Sequence, residues 1–139
     1  MTNSILIIDD EPHFLEAHRL ALEEVGYTVE IIENARDAAE RLRHGAIPSL
    51  IILDIIMPFS PEDVGPENGT NMGISLLEIL RDELKIAVPI IILTVVANQE
   101  THERISQIEE RFGYEPVIYI KPFLPSELLD EVRRLIGNP

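Results

Sequence analysis

Five short apolar runs rich in isoleucine, leucine and valine recur along the chain and predict five β-strands. In order they are SILIID, YTVEII, SLIILD, PIIILT and VIYIK, which begin at residues 4, 27, 49, 89 and 117. Four of them are nearly continuous, a pattern typical of strands buried on both faces of a parallel sheet. The second run is interrupted by Glu30, which favours a place at the edge of the sheet.

The segments between these runs have apolar residues at helical spacing, so that each predicted helix has one face to lay on the sheet. The clearest sets are Phe14, Ala17, Ala21 and Val25 in the first segment and Leu128, Val132, Leu135 and Ile136 in the last. Glycines stand where helix C-caps are expected, at Gly26, Gly45 and Gly113. Asn34, followed three residues later by Asp37, resembles an N-terminal capping box.

Strands that alternate with helices five times predict right-handed crossovers and an open, doubly wound α/β sheet. The one irregular region extends from Met57 to Gly73 and contains three prolines and three glycines, which predicts a long loop. Loops of this length in a compact domain are usually functional or mobile.

Composition limits the classes of function. With 139 residues, of which 45% are apolar, we expect one folded domain over residues 1–139. The formal charge of −14 repels phosphate backbones and anionic membranes, which argues against direct nucleic-acid or membrane binding. The chain has no cysteine and no apolar run long enough to span a bilayer or act as a secretion signal, which favours a cytoplasmic location.

Chemistry-bearing side chains follow four of the five predicted strands. They are Asp9 and Asp10 after the first, Asp54 after the third, Thr94 after the fourth and Lys121 after the fifth. Each residue alone is most simply a helix cap, a turn residue or a surface group. Together they lie at the carboxyl ends of parallel strands, where open α/β sheets bind ligands. Several carboxylates on one edge repel one another unless a hard cation lies among them, and an oxygen-rich site suits Mg²⁺.

Four motifs, LIIDDE, LIILDIIMP, IILT and YIKPF, follow in an order that resembles the receiver domain of two-component response regulators, including single-domain chemotaxis regulators. The resemblance covers the chain from Ser4 to about Ile136. It implies a five-stranded parallel sheet with five helices and the flavodoxin-like strand order 2-1-3-4-5. It also implies a signalling phosphoacceptor rather than an enzyme.

The resemblance assigns a role to each strand-end residue. Asp54 would be the nucleophile that takes a phosphoryl group from the phosphohistidine of a sensor histidine kinase or phosphotransfer protein. Mg²⁺ would be bound by the carboxylates of Asp10 and Asp54 and the backbone carbonyl of Ile56, with Asp9 acting through a bound water. Lys121 would pair with the phosphoryl oxygens and Thr94 would donate its hydroxyl to one of them.

The resemblance also implies an output. The phosphorylated state would change the face formed by the fourth helix, the fifth strand and the fifth helix, where a downstream protein target would dock. Homodimerisation through that face stays open. The family further leads us to expect a cis peptide between Lys121 and Pro122.

Three departures from the family pattern affect these expectations. Val95 replaces a residue that is usually small, and it is expected to narrow access to Asp54. Ile118 occupies the position of the family's switch aromatic, whereas Tyr119 is one residue later and therefore points to the other side of its strand. The third departure is an inserted loop, Phe59 to Asn71, which is either a tolerated surface insertion or an acidic, partner-specific lid.

Other readings are weaker. A haloacid dehalogenase-type enzyme needs a second acid where Ile56 stands, and the glycine-rich nucleotide motifs are absent. The four histidines lack zinc-site spacing and are predicted at the surface or on helix flanks: His13, His18, His44 and His102. The serious alternative is a receiver-like scaffold that docks partners without phosphorylation. Whether the chain stands alone or belongs to a longer regulator is open, although Met1 just before the first strand favours a natural N-terminus.

Overall fold

A computed structural model of the chain describes residues 3–56, 72–95 and 99–139. It contains five parallel strands: β1 (Ser4–Ile8), β2 (Thr28–Ile32), β3 (Leu50–Asp54), β4 (Ile90–Thr94) and β5 (Val117–Ile120). The strands are hydrogen-bonded in the order β2-β1-β3-β4-β5. This order confirms the predicted topology and places β2, the run that Glu30 interrupts, at an edge.

Five helices connect and follow the strands. They are α1 (Glu16–Glu24), α2 (Ala35–His44), α3 (Met72–Glu78), α4 (Gln99–Arg111) and α5 (Pro125–Ile136). A single 3₁₀ turn, Pro12–Leu15, leads into α1, and a π-helical turn, Ile79–Glu83, extends α3. Helices α2, α3 and α4 cover one face of the sheet, and α1 and α5 cover the other. The predicted doubly wound architecture is therefore confirmed.

The two faces of the sheet explain why the strand sequences are nearly continuous in apolar residues. Along β1, Leu6 and Ile8 belong to the core under α2, α3 and α4, whereas Ile5 and Ile7 belong to the core under α1 and α5. Successive side chains of a strand point to opposite faces, so a strand covered on both sides needs an apolar residue at every position.

The buried face predicted for the first helical segment is wrong except at Val25, which packs on the core under α1 and α5. The buried residues are Leu15 in the preceding turn and His18 and Leu22 in α1, whereas Phe14 is 63% exposed. The buried residues are themselves three and four positions apart, so they form a second stripe at helical spacing beside the predicted one. The face predicted for the last helix is confirmed, because Leu128 and Val132 are fully buried and the two remaining residues pack on the same core.

The predicted helix-capping residues are largely confirmed. The side chain of Asn34 accepts a hydrogen bond of 2.9 Å from the backbone N–H of Asp37 and caps α2. Gly26 follows α1 with φ of +111°, a conformation that side chains with a Cβ rarely adopt. Of the predicted long loop, residues 57–71 lie outside the described residues, and Met72 and Gly73 already belong to α3.

A buried ion pair joins the turn after α3 to α4 at the amino edge of the sheet. Arg81 and Glu109 are each 1% exposed and form two parallel bonds, of 2.7 and 2.8 Å. The remaining guanidinium nitrogen, Nη1, donates to the carbonyls of Ile86 and Val88 just before β4. The ring of Tyr114 lies 3.8 Å from the guanidinium carbon. We call Arg81, Glu109 and Tyr114 the Arg81 cluster.

Candidate functional site

The strand-end residues predicted from the sequence do converge at the carboxyl edge of the sheet. Asp9 and Asp10 follow β1, Asp54 is the last residue of β3, and Lys121 follows β5. Because β1 pairs with β3 in parallel register, with Ile8 opposite Leu53, the ends of these two strands lie side by side. The three carboxylates, Asp9, Asp10 and Asp54, are called the acidic trio below.

Lys121 bridges two members of the acidic trio. Its Nζ lies 2.8 Å from Oδ2 of Asp9 and 3.1 Å from Oδ2 of Asp54. The second oxygen of each carboxylate accepts a backbone hydrogen bond, from Glu11 N to Asp9 Oδ1 at 2.8 Å and from Ile56 N to Asp54 Oδ1 at 3.0 Å. Each carboxylate is thus oriented by the turn that follows its own strand.

Burial makes the excess of negative charge costly. Asp9 is fully buried and Asp54 is 5% exposed, so water screens their repulsion poorly. Burial, followed by the charge of Asp9, raises the pKa of Asp54 to about 6, although the Ile56 N–H and Lys121 act in the opposite direction. Burial and the same Asp9 charge also raise the pKa of Asp10.

The ammonium group of Lys121 stays charged in this setting. Burial alone would lower the pKa of Lys121, but the hydrogen bonds and charges of Asp9 and Asp54 outweigh it and raise the pKa. One lysine therefore faces three carboxylates, and the site has an unbalanced negative charge that a bound cation would neutralise.

The donor set of the acidic trio fits a hard divalent cation. One carboxylate oxygen from each residue lies within 4.8 Å of the other two, so a single ion reaches all three directly or through water. Oxygen-only ligands with room for water are what Mg²⁺ prefers. Across residues 3–56, 72–95 and 99–139, this is the group of acidic and histidine side chains with such geometry.

Thr94 is the last residue of β4, and Ile56, the other predicted site residue, follows the end of β3 by two positions. Thr94 is fully buried at the end of β4, and its carbonyl accepts a 2.8 Å hydrogen bond from the backbone N–H of Lys121. Ile56 is connected to Asp54 through its N–H, while the metal-binding role of its carbonyl stays a prediction, as does the phosphoryl-binding role of the Thr94 hydroxyl. The peptide between Lys121 and Pro122 is cis, as expected.

The two residues near the end of β5 lie on opposite sides of the sheet, as their alternation predicts. Ile118 packs on the core under α2, α3 and α4, whereas Tyr119 packs on the core under α1 and α5. The Tyr119 hydroxyl donates to Oε1 of Glu131 on α5 at 3.1 Å. Burial and the Glu131 carboxylate raise the pKa of Tyr119 to about 12.

Gly73 is a structural requirement of the site whose reason only the structure shows. A Cβ at this position would lie 2.2 Å from the Cα of Ile55 and 2.5 Å from the carbonyl oxygen of Asp54. The Gly73 N–H donates to the Ile55 carbonyl at 3.0 Å. Glycine therefore allows the first turn of α3 to press against the backbone that presents Asp54.

His18 is the residue that the sequence prediction placed wrongly. It was expected at the surface or on a helix flank, but it is 8% exposed, and its Nε2 lies 2.8 Å from the carbonyl oxygen of Phe123. The spacing of Leu15, His18 and Leu22, three and then four residues apart, was the available signal.

An apolar cleft of about 290 Å³ opens beside Lys121. Its lining includes Phe14, His18, Val95 and Phe123. Val95, which directly follows β4 next to the site, is 60% exposed. That it narrows access to Asp54 stays a prediction.

Comparisons with known proteins agree with the resemblance that the sequence motifs show. The family model described as "Response regulator receiver domain" matches residues 5–133. The chain is 36% identical over 138 residues to the phosphate regulon transcriptional regulatory protein PhoB of Pseudomonas aeruginosa, which covers 96% of this chain and 51% of that protein. It is 33% identical over 140 residues to the response regulator Rre1 of Synechocystis, which covers 97% of this chain and 52% of that protein.

Solved structures give the same fold. A CheY-like receiver domain protein from Methanospirillum hungatei superposes with a TM-score of 0.74 at 25% identity, covering 96% of this chain and 93% of that one. The chemotaxis response regulator CheY4 of Vibrio cholerae gives 0.72 at 24% identity, covering 97% and 99%.

The chain spans about half the length of the curated relatives it matches, so the prediction of a single domain over residues 1–139 stays a prediction. Within the part of the chain that the structure describes, no helix has the length and apolarity needed to cross a bilayer.

Proposed function

Because the chain belongs to the response regulator receiver family, we propose that it is a phosphoacceptor switch in which Asp54 takes a phosphoryl group from a histidine kinase or phosphotransfer protein. Receiver domains are signalling domains. The observation that supports this role most directly is the position of Asp54 at the carboxyl edge, with Lys121 Nζ 3.1 Å from its Oδ2. A carboxylate and a fixed cation stand together where a phosphoryl group would arrive.

The transfer is a displacement at phosphorus. An oxygen of the Asp54 carboxylate forms a bond to phosphorus while the bond between phosphorus and the donor imidazole nitrogen breaks, and the electron pair leaves with the imidazole. Lys121 then exchanges its contact with the Asp54 carboxylate for the phosphoryl oxygens, whose negative charge it offsets. The product is an acyl phosphate, which water hydrolyses back to the carboxylate and inorganic phosphate.

Receiver domains bind Mg²⁺ at an acidic pocket, and the acidic trio is where this chain would hold it. Asp10, Asp54 and the Ile56 carbonyl would be direct ligands, and Asp9 would act through a bound water. The ion would neutralise charge on the carboxylates and the arriving phosphoryl group. Lys121 alone supplies one positive charge, which supports the need for a second cation.

The proposed output is a change on the surface formed by α4, β5 and α5. Thr94 at the end of β4 would turn its hydroxyl toward the new phosphoryl group. The hydrogen bond between its carbonyl and the Lys121 N–H would transmit the change to β5. Ile120 and Leu124 on this surface are 44% and 61% exposed, which suits a protein partner. Nucleic acid and membranes are not proposed as direct partners, and the proposed location is cytoplasmic.

The proposal is tested by incubating the protein with Mg²⁺ and a small acyl phosphate donor and following its intact mass. Wild-type protein should gain one phosphoryl group, and Asp54→Asn should gain none, because an amide oxygen is a far weaker nucleophile. Asp82→Asn, which changes an exposed carboxylate in the turn after α3, is the matched control and should behave like wild type. Wild-type protein that reacts with no donor, including a phosphorylated histidine kinase, would favour the scaffold that docks partners without phosphorylation.

A further inference from the structure

His18 connects the first helix to the segment that positions Lys121. It lies on α1 and is 8% exposed, and its Nε2 is 2.8 Å from the carbonyl oxygen of Phe123, a residue 105 positions away in the sequence. Phe123 is two residues after Lys121. Residues 121–123 are called the Lys121 loop below.

The hydrogen-bond partners of His18 fix its tautomer. A carbonyl oxygen only accepts hydrogen bonds, so Nε2 must bear the proton that is donated to Phe123. The other ring nitrogen, Nδ1, is buried and has no hydrogen-bond partner among the described residues. A bare lone pair there is tolerable, whereas a buried N–H without an acceptor would cost more. His18 therefore acts as a directional hydrogen-bond donor to Phe123.

Aromatic contacts hold the same loop from the other side. The His18 and Phe123 rings are 4.8 Å apart and T-shaped, and the Phe123 and Tyr119 rings are 5.4 Å apart and also edge-on. Tyr119 is in turn hydrogen-bonded to Glu131 on α5 at 3.1 Å. The Lys121 loop is thus held between α1 and α5, two helices that pack against each other on the same face of the sheet.

We propose that His18 is a positioning residue for phosphoryl transfer, because its hydrogen bond to Phe123 fixes the Lys121 loop and so holds Lys121 Nζ between Asp9 and Asp54. This inference rests on the proposed function. An apolar residue would fill the same space between Leu15 and Leu22. What His18 adds is a hydrogen bond that orients the Lys121 loop. A displacement of Lys121 by one ångström would weaken its contact with the arriving phosphoryl oxygens.

The first experiment reads the geometry without any phosphorylation. In ¹H–¹⁵N spectra of wild-type protein, His18 should show a protonated Nε2 that exchanges slowly, and Lys121 should show an ordered ammonium signal, assigned by its loss in Lys121→Ala. His18→Leu should broaden or abolish the Lys121 signal. His18→Gln, whose Nε2 occupies nearly the place of the imidazole Nε2, should restore it. An unchanged Lys121 signal in His18→Leu would overturn the positioning role.

The second experiment measures the rate of phosphorylation by a small acyl phosphate at saturating Mg²⁺. His18→Leu should lower the rate about tenfold, the order expected for a loss of alignment well below one ångström, and His18→Gln should return it to within about threefold. In a Lys121→Ala background, His18→Leu should have little further effect, because the two residues act through one contact. Thermal unfolding of each variant verifies that it is folded at the assay temperature.

The outcomes separate the two proposals. Additive effects of His18→Leu and Lys121→Ala on the rate would show that His18 does not act through Lys121, and would overturn the positioning role. If wild-type protein is never phosphorylated but its Lys121 signal depends on His18 as described, the proposed function fails while the positioning of Lys121 by His18 stands.

Discussion

Two clusters of buried charge lie at opposite edges of the same sheet, and they are built in opposite ways. In the Arg81 cluster, one guanidinium donates two parallel hydrogen bonds to one carboxylate, and its Nη1 donates to two backbone carbonyls. At the carboxyl edge, one ammonium faces three carboxylates, and the pKa of Asp54 rises to about 6. The charges of the first cluster cancel within the protein. The second has an excess of negative charge that only a bound cation would neutralise.

The difference separates structural from functional use of buried charge. A buried pair whose hydrogen bonds are all made is inert toward ligands, and it defines how α4 packs on the turn after α3. A buried group of like charges lowers stability unless something binds, so the protein maintains it at a cost that binding offsets. Four predictions test this contrast, from the largest expected effect to the smallest.

Breaking the Arg81 cluster should have the largest effect on stability. Arg81→Met leaves Glu109 as a buried, unpaired carboxylate and should lower the free energy of unfolding by about 3–5 kcal/mol, measured by urea denaturation at pH 7. The double variant Arg81→Met with Glu109→Leu removes both charges and should recover most of this loss. If the double variant were as unstable as the single one, the loss would reflect packing and not the unpaired charge.

Removing one charge at the carboxyl edge should raise the free energy of unfolding, in contrast to Arg81→Met. Without metal, the folded-state pKa of Asp54 is about 6, above its ordinary value of 3.8. The folded state therefore binds more protons between these values, and the free energy of unfolding falls as pH rises from about 4 to about 6. Above pH 6, Asp54→Asn should be more stable than wild type by on the order of 2 kcal/mol.

This difference is measured by denaturant unfolding at several pH values in buffer with a chelator. Asp82→Asn is the control, because its carboxylate is exposed. A difference between Asp54→Asn and wild type that does not change between pH 4 and pH 7 would show that Asp54 has no raised pKa in the folded protein.

Magnesium should distinguish the two clusters directly. We expect a dissociation constant in the high micromolar to millimolar range, so Mg²⁺ at ten times that value should stabilise wild-type protein by about 1.4 kcal/mol. Asp10→Asn should reduce this increment to less than half. The Arg81→Met, Glu109→Leu double variant should retain it fully. Calorimetric unfolding with and without Mg²⁺ measures the increment, and an undiminished response in Asp10→Asn would exclude Asp10 as a ligand.

The smallest effect is expected from an exposed ion pair that joins α3 to α4. Arg104 on α4 lies 3.4 Å from Glu78 on α3, and both side chains are about half exposed. Arg104→Met should change the free energy of unfolding by less than about 0.5 kcal/mol, because water screens the pair. A loss comparable to that of Arg81→Met would mean that burial is not what distinguishes the two pairs.

Much of the fold and of the site was predictable from the sequence because it depends on local pattern. Continuous apolar runs gave five strands, and in a parallel sheet the residues that follow such strands must lie at one edge, so Asp9, Asp54 and Lys121 meet. The buried face of α1 was predicted wrongly because the segment has two sets of residues at helical spacing, and the set that contains Leu15, His18 and Leu22 is the one that packs on the sheet. His18 belongs to that set and is therefore buried.

The sequence by itself determined the strand order through the family resemblance, the edge position of β2 and the identity of the acids that converge. Only the tertiary structure decided that Lys121 bridges Asp9 and Asp54, that Gly73 must lack a side chain, and that His18 holds the loop beside Lys121. Periodicity depends on neighbours a few residues apart, which the sequence displays. These three contacts join residues far apart in the chain, and their distances exist only once the helices have packed on the sheet.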